Sequence, residues 1–521
     1  MAGLACNLIG SAPDPLPTAT PIASKTNTFA PIVTHTLPPT EAPTATPGCA
    51  ADPATRAVRY DIDTTIDDDA HTATAVMKAT YRNETGQPQQ QIVFSVEPNR
   101  KSGVFSLFRV EIASPVDLKD YSLDGARLEV NLKQPLKVHC SATFTIGFTV
   151  KPGQITQTYI GNTGYFGYSD RQFNLGEWLP KIAPWIGGAW YTPKDSPVGE
   201  IMVADLADYT AHVKVQSKNL DKVEVVGPGD AQKIDDSTWS FKLLGARSFT
   251  LSVCQSVSKI SITSESGVTL DFYFFLPNSS LRTEEANLPG APQYALDTAR
   301  HAVNLYTKIY GDVPFKRLVL VEGDFRDGME FSGMVFVSQY WFSLYNGQPD
   351  TWLTLITAHE VAHQWWYSLV GNDQGNEPFL DEALAVYSEA IYMENYYDKL
   401  LPWWWNFRVK SYAPQGYVDS KVYDFQNLRL YLNAVYLRGA LMLQDIRTAI
   451  GDEAFFKWLR DYRTGRAGKI ATAADLWQAM SPADYIKTGP VRSKYLHNPD
   501  PLHLMTSTSA PTGVATELCC G

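Results

Sequence analysis

Between residues 55 and 262 apolar and polar positions alternate over short runs: RAVRYDIDTTID, TATAVMKATYRNE, ATFTIGFTV, YTAHVKVQS, STWSFKLL and SFTLSV. Gly, Pro, Asn and Asp separate these runs. A period of two turns one face of each segment inward and the other to water, which predicts a large antiparallel β domain. From 263 the pattern changes. VTLDFYFFLP reads as a strand, YALDTARHAVNLYTKIYG has helical spacing, and RLVLVEG returns to strand. Beyond 351 the spacing is helical almost throughout. TWLTLITAHEVAHQWWYSLVG is expected to run to a C-terminal cap at Gly371, and FLDEALAVYSEAIYMENYY and LNAVYLRGALMLQDIRTAIG follow as further helices. The expected fold is therefore multidomain: an all-β domain over 55–262, then an α+β, mostly helical domain over 263–480.

The two ends break the pattern. From Pro13 to Pro47 the chain is so dense in Pro and Thr that it cannot bury enough apolar surface to offset the cost of ordering, so residues 1–54 are expected to form a disordered tether. Ahead of it, MAGLACNLIG resembles the lipid-attachment site of a bacterial lipoprotein, with Cys6 as the acylated residue, and sets the expectation of an extracytoplasmic, surface-anchored protein. Residues 481–521 show no clear period and are expected to be an irregular tail. The 521 residues are 44% hydrophobic and 19% charged, with a net charge of -11, which describes a globular chain lacking the basic patch a nucleic-acid partner requires. No apolar run approaches the length of about 18 residues needed to span a membrane as a helix. Of the six cysteines none shows CxxC spacing, which argues against a cysteine zinc site. Cys140 and Cys254 both fall in strand-like alternation; they form either a disulfide or two buried thiols.

The chemistry sits in TAHEVAHQWWYSLVGNDQGNEPFLDEALAVYSEA. On a helix, His359 and His363 stand about 40° apart on one face, close enough for both imidazoles to meet one ion, with Glu360 about 100° away. In this HExxH arrangement two neutral imidazoles hold zinc while the glutamate handles the proton of a water. Glu382, on the next helix, supplies the third ligand, the turn-rich GNDQGNEP folding that helix back. Glu389 returns to nearly the same face seven residues later, placed to accept a hydrogen bond from a ligand imidazole. Two core histidines with satisfied hydrogen bonds would leave the correctly spaced acid unexplained.

HExxH followed by eighteen residues and Glu, with HQWW after the second His and LDEALAVYSE around the third ligand, resembles the gluzincin aminopeptidases of the membrane alanyl aminopeptidase and leukotriene hydrolase family. DGMEFSG, residues 327 to 333, resembles that family's Gly-x-Met-Glu-Asn motif, and VYLRGALML its later Tyr-x-Lys-Gly segment. The resemblance implies a saddle-like β domain before a thermolysin-like catalytic domain, one Zn2+ per chain, and peptide substrates with a free N-terminus. It puts the general base on Glu360, the transition-state hydroxyl on Tyr436, and the grip on the substrate's α-amine on Glu330, with Gly328 and Met329 beside it. A second amine anchor is expected near SDRQFNLGEWLP. Asp327, Phe331 and Arg438 depart from the family pattern, and the helical C-terminal domain usual in the family is expected to be missing. Two rival readings are a zinc endopeptidase on the same scaffold and a non-catalytic surface lipoprotein with structural zinc. Glu360, which a structural site does not need, counts against the second.

Overall fold

Alternation in the first half of the chain becomes sheet in a computed structural model, which describes Cys49 and residues 55–113, 115–155, 164–275 and 290–502. Cys6, the Pro/Thr-rich segment and residues 503–521 lie outside the described residues. In the strand Val58–Asp67 the side chains of Val58, Tyr60, Ile62, Thr64 and Ile66 are buried and the residues between them are more exposed. The largest sheet has seven strands in the order Asp230–Asp235, Thr238–Ala246, Ala207–Gln216, Val58–Asp67, Thr72–Arg82, Ser141–Val150 and Phe105–Ala113. Its pairs are antiparallel except that Val58–Asp67 runs parallel to Ala207–Gln216. A four-stranded sheet containing Gln89–Ser95 and Arg127–Leu136 shares one core with it, in which Phe94, Phe144, Phe148, Trp178 and Trp239 are almost fully buried.

The second part of the chain combines sheet and helix. Its five-stranded mixed sheet runs Val257–Thr263, Thr269–Phe275, Arg317–Gly323, Met334–Ser338, Gly328–Phe331, so Val257–Thr263 joins this sheet and the first part ends before 257, earlier than alternation alone suggested. The last of these strands, Gly328–Phe331, is an edge. Helix Ala291–Tyr310 ends at Gly311, whose φ of 101° suits glycine at a helix stop. The helices Trp352–Ala362, Glu382–Tyr396 and Arg438–Ile450 pack with it around a second core.

Two expectations about helices fail. The helix expected to reach Gly371 ends at Ala362, because Trp365 and Trp366 are pulled into the core and the chain reverses at Tyr367, at φ 129°. Residues 481–502, expected to be irregular, instead carry the helices Pro482–Lys487 and Gly489–Tyr495, and Tyr495 and Leu496 are buried. Ser481 caps the first by accepting from the Asp484 N–H, a local signal present in the sequence.

The cysteines pair differently as well. Cys140 is bonded to Cys49, 91 residues away, and Cys254 is a buried free thiol in the strand Leu251–Gln255 of another sheet. A cross-link closing so long a loop restricts the unfolded chain and is worth about 4.6 kcal/mol in the chain-entropy model, an upper figure that measured disulfides often fall short of. Cys140→Ser is therefore expected to unfold at a lower denaturant concentration than the oxidised wild type, by an amount equivalent to about 2–4 kcal/mol. Equal midpoints for the two would remove the disulfide from the stability of the fold.

The two parts are tied by buried polar groups. Arg171 forks onto Asp324 (3.1 and 3.0 Å from Nε) and reaches Glu322, while Gln172 donates to the Glu322 carbonyl and accepts from the Asp324 N–H. Arg247, buried without a facing carboxylate at hydrogen-bond distance, donates to the carbonyls of Ala204, Tyr367, Ser368, Leu369 and Lys469. Burial lowers its pKa to about 10, still leaving the guanidinium charged at neutral pH.

Candidate active site

Helix Trp352–Ala362 is buried from Leu353 to its end, and apart from Thr354 and Thr357 its sequence there is apolar except for the residues that carry chemistry. His359 stands on it, and His363, its C-terminal cap, follows one turn later. The reversal that follows is held by Arg247 on the Tyr367 carbonyl (2.8 Å) and by the Tyr367 hydroxyl donating to Ser248 Oγ (3.0 Å). Asp373 then organises a turn by accepting from the N–H groups of Gly375 and Asn376, and Asp381 caps the next helix by accepting from the Glu382 N–H at 2.9 Å. Glu382 is thereby fixed in the first turn of Glu382–Tyr396, facing the two histidines.

Three donor atoms converge. His359 Nε2 is 3.1 Å from His363 Nε2 and 3.3 Å from Glu382 Oε2, and His363 Nε2 is 3.6 Å from the same oxygen. The other ring nitrogens settle the tautomers. His363 Nδ1 is 2.9 Å from the Trp366 carbonyl, which can only accept, and His359 Nδ1 is 3.0 Å from Glu389 Oε1. Both imidazoles therefore carry hydrogen on Nδ1 and present an Nε2 lone pair inward, where Glu382 Oε2 is buried without a hydrogen-bond partner. Three lone-pair donors this close repel one another unless a cation lies between them. Tetrahedral zinc with ligands at about 2.0–2.2 Å keeps its donors about 3.3–3.6 Å apart, close to the 3.1, 3.3 and 3.6 Å of this set.

Glu389, fully buried, is the acceptor that orients His359. Arg408 donates to it twice (2.9 and 3.0 Å) and Trp404 Nε1 once (3.2 Å). Burial works to raise the pKa of Glu389, but the Arg408 charge and the bonds from His359 and Arg408 outweigh it and hold the carboxyl below its usual range. Arg408 lies in a stretch of π-helix, Trp405–Val409, a local widening common at functional sites.

Glu360 is buried, with Oε2 unpartnered. Burial raises its pKa well above the usual range, the nearby His359 opposing and Glu330, Asp327 and Glu382 adding to it. Gly328 explains itself here: a methyl at its Cα would overlap the Glu360 carboxyl group. Along Gly328–Phe331 the side chains alternate, so that Glu330 faces the site while Met329 and Phe331 pack into a core cluster with Phe325 and Phe336. Met329 therefore offers substrate only its main chain, and Phe331, standing where the family motif has Asn, is core. Asp327 adopts φ 93°, a left-handed conformation costly for any residue but glycine, which matches the Gly of the family motif at this position. Tyr436 stacks parallel to the His359 ring at 6.2 Å, and burial with the charges of Glu382 and Glu200 keeps its hydroxyl protonated. Arg438 lies apart from these groups, donating to the Lys494 carbonyl.

Sequence reasoning missed Glu200, Gln374 and Arg408. Glu200 comes from the irregular segment before strand Ala207–Gln216, has a buried unpartnered Oε2, and contributes the largest charge effect on Glu330, whose pKa burial also drives well up. Gly199 next to it has no room for a side chain against the Tyr431 ring. In Ser169–Glu177, where an amine anchor was expected, Ser169, Arg171 and Gln172 are taken up by Asp324 and Glu322, and Glu177 is paired with Lys181. No periodicity marks Glu200; its neighbour Gly199, at φ 65°, is the one local irregularity.

Comparison with known proteins gives a consistent result. Residues 294–493 match the family model described as Peptidase family M1 domain. Aminopeptidase N of Lactobacillus delbrueckii subsp. lactis is 27% identical over 231 residues, 40% of this chain and 26% of that protein. Aminopeptidase N of Lactobacillus helveticus is 28% identical over 239 residues, 41% and 28% of the two chains. The chain thus spans about a quarter of the length of these relatives. Among solved structures, an M1 zinc metallopeptidase from Deinococcus radiodurans superposes with a TM-score of 0.60 at 15% identity, over 83% of this chain and 93% of that one. A mutant of the same enzyme bound to a Tyr-Ser-Ala substrate superposes with the same TM-score at 14% identity and the same coverage. At such identity the likeness shows the fold, a sheet-rich first part followed by a part in which the helices gather.

Proposed function

We propose that this chain, whose residues 294–493 match the Peptidase family M1 domain model, is a gluzincin and a zinc-dependent aminopeptidase that hydrolyses the first peptide bond of peptides with a free N-terminus. The observation that carries the reading is adjacency. Carboxylate oxygens of Glu330, Asp381 and Glu382 lie within 4.8 Å of one another, so a site for a cationic amine borders directly on the metal donors. The sheet-rich first part then serves as the saddle and the second as the thermolysin-like catalytic part.

When bound by His359, His363 and Glu382, zinc supplies a Lewis acid that acidifies water and polarises a carbonyl. Glu330 pairs with the substrate ammonium, and Glu200 faces it as a second carboxylate. Glu360 takes a proton from the attacking water and hands it to the leaving amine. The Tyr436 hydroxyl donates to the oxyanion as it develops, where a fixed donor is worth about 2.7–4 kcal/mol. Glu389, held by Arg408, keeps His359 in the tautomer that leaves Nε2 free. A secreted, lipid-anchored form of the protein belongs to the same proposal; the Cys49–Cys140 disulfide supports an oxidising compartment.

The test compares kcat/KM for one peptide in free and N-acetylated form. The wild type should strongly prefer the free amine. Glu330→Ala should lose about 10- to 100-fold on the free peptide, the loss expected of a charge-assisted hydrogen bond that also positions the scissile bond, while the acetylated peptide changes little. A wild-type ratio near one would make the protein an endopeptidase. A ratio that survives the substitution would move the amine to Glu200.

A further inference from the structure

Gln374 lies in the segment between the two helices that carry the zinc donors, 1% exposed, and its amide joins three separate stretches of chain. Nε2 donates to Glu330 Oε1 at 2.9 Å and to Asp381 Oδ2 at 2.9 Å, and Oε1 accepts from the Met202 N–H at 3.0 Å. Asp381 in turn accepts from the Glu382 N–H at 2.9 Å. A continuous line of short hydrogen bonds therefore runs from the carboxylate assigned to the ammonium to the main chain of the third metal donor. The branch to Met202 holds the segment carrying Glu200, two residues earlier, against the same place. A side-chain amide is the group suited to this, because its two N–H bonds diverge towards two acceptors while its oxygen serves a donor.

We propose that Gln374 is a positioning residue that fixes the separation between the ammonium site at Glu330 and the hydrolytic centre at Glu382, and so places the first peptide bond, and not the second, over Glu360. The proposal rests on the aminopeptidase reading. Gln374 does not itself touch the substrate in this scheme. Its loss leaves the Glu330 and Glu200 carboxyl groups in place to hold an amine, but lets the bound peptide sit at variable distance from the hydrolytic centre, and a displacement of about 1 Å can cost about 10²-fold in rate.

Two variants test it. Gln374→Met removes the donors at similar volume, and Gln374→Asn keeps the amide on a side chain one methylene too short to span the gap. For both, kcat on a free tripeptide is expected to fall about 10- to 100-fold more than kcat on its N-acetylated form, with KM for the free peptide within about threefold of wild type and zinc content, measured by atomic absorption, at wild-type level. Glu330→Ala, by contrast, should raise KM. Equal losses on free and acetylated peptides, or a parallel loss of zinc, would overturn the proposal in favour of a purely structural role, and so would wild-type kcat in Gln374→Asn. A wild type that does not distinguish free from acetylated peptide overturns the aminopeptidase reading and this inference together, whereas a wild-type preference retained at full kcat in both variants overturns this inference alone.

Discussion

Glu360→Gln should purify with its zinc and lose about 10²- to 10⁴-fold in kcat, the range general-base removal produces. The substitution keeps the shape of the side chain, so the close fit against Gly328 survives. What it removes is the capacity to take a proton. Glu360 suits that task because Oε2 is buried and has no hydrogen-bond partner, leaving a lone pair for water, and because burial raises its pKa so that it accepts a proton readily. It is not one of the three converging donors His359, His363 and Glu382, so the metal should remain stoichiometric by atomic absorption. Near-normal turnover in a zinc-loaded Glu360→Gln would remove the residue from the reaction, and loss of zinc along with activity would reassign it as a ligand.

Glu382→Ala is expected to do the opposite, emerging from purification with little zinc and no measurable peptidase activity. Two imidazoles alone leave the ion short of the three protein ligands a catalytic zinc site requires, and they lose the only anionic donor in the set. The measurement is zinc content after dialysis against a mild chelator that leaves the wild type loaded. Full occupancy in the variant would show that another of the clustered carboxylates, Glu330 or Asp381, is the true third donor.

The pairing of His359 with His363, and of Glu382 with Glu389, was legible because local periodicity sets it. Four residues on a helix put His359 and His363 together, and seven on the next helix put Glu389 on the face of Glu382. Other residues depend on contacts that leave no such trace. Met202 and Gln374 meet across 172 positions, and Glu200 comes from a stretch with neither helix nor strand spacing. Arg408 directly follows LPWWWNF, residues 401–407, whose aromatic density signals packing and nothing more. Cys49 sits just outside the alternating runs, whereas Cys140 and Cys254 share a pattern and yet Cys140 stands just before the strand Ser141–Val150 while Cys254 lies within Leu251–Gln255 of a different sheet. HQWWYSLV continues a helical pattern well enough; the helix nonetheless ends at Ala362, with Trp365 and Trp366 buried and the chain reversing at Tyr367 through contacts with Arg247 and Ser248 that lie far away in sequence.

Strand Gly328–Phe331 ends its sheet, pairing only with Met334–Ser338. Its outer main-chain N–H and C=O groups are not used by any strand of the described residues, and they run past Glu360 towards Glu330. On the aminopeptidase reading proposed above, an extended peptide laid there would extend the sheet by one strand, held by groups that every peptide possesses whatever its side chains. On that reading, recognition rests on backbone and terminus, so replacing residues beyond the first of a free peptide is expected to change kcat/KM less than acetylating its amine does.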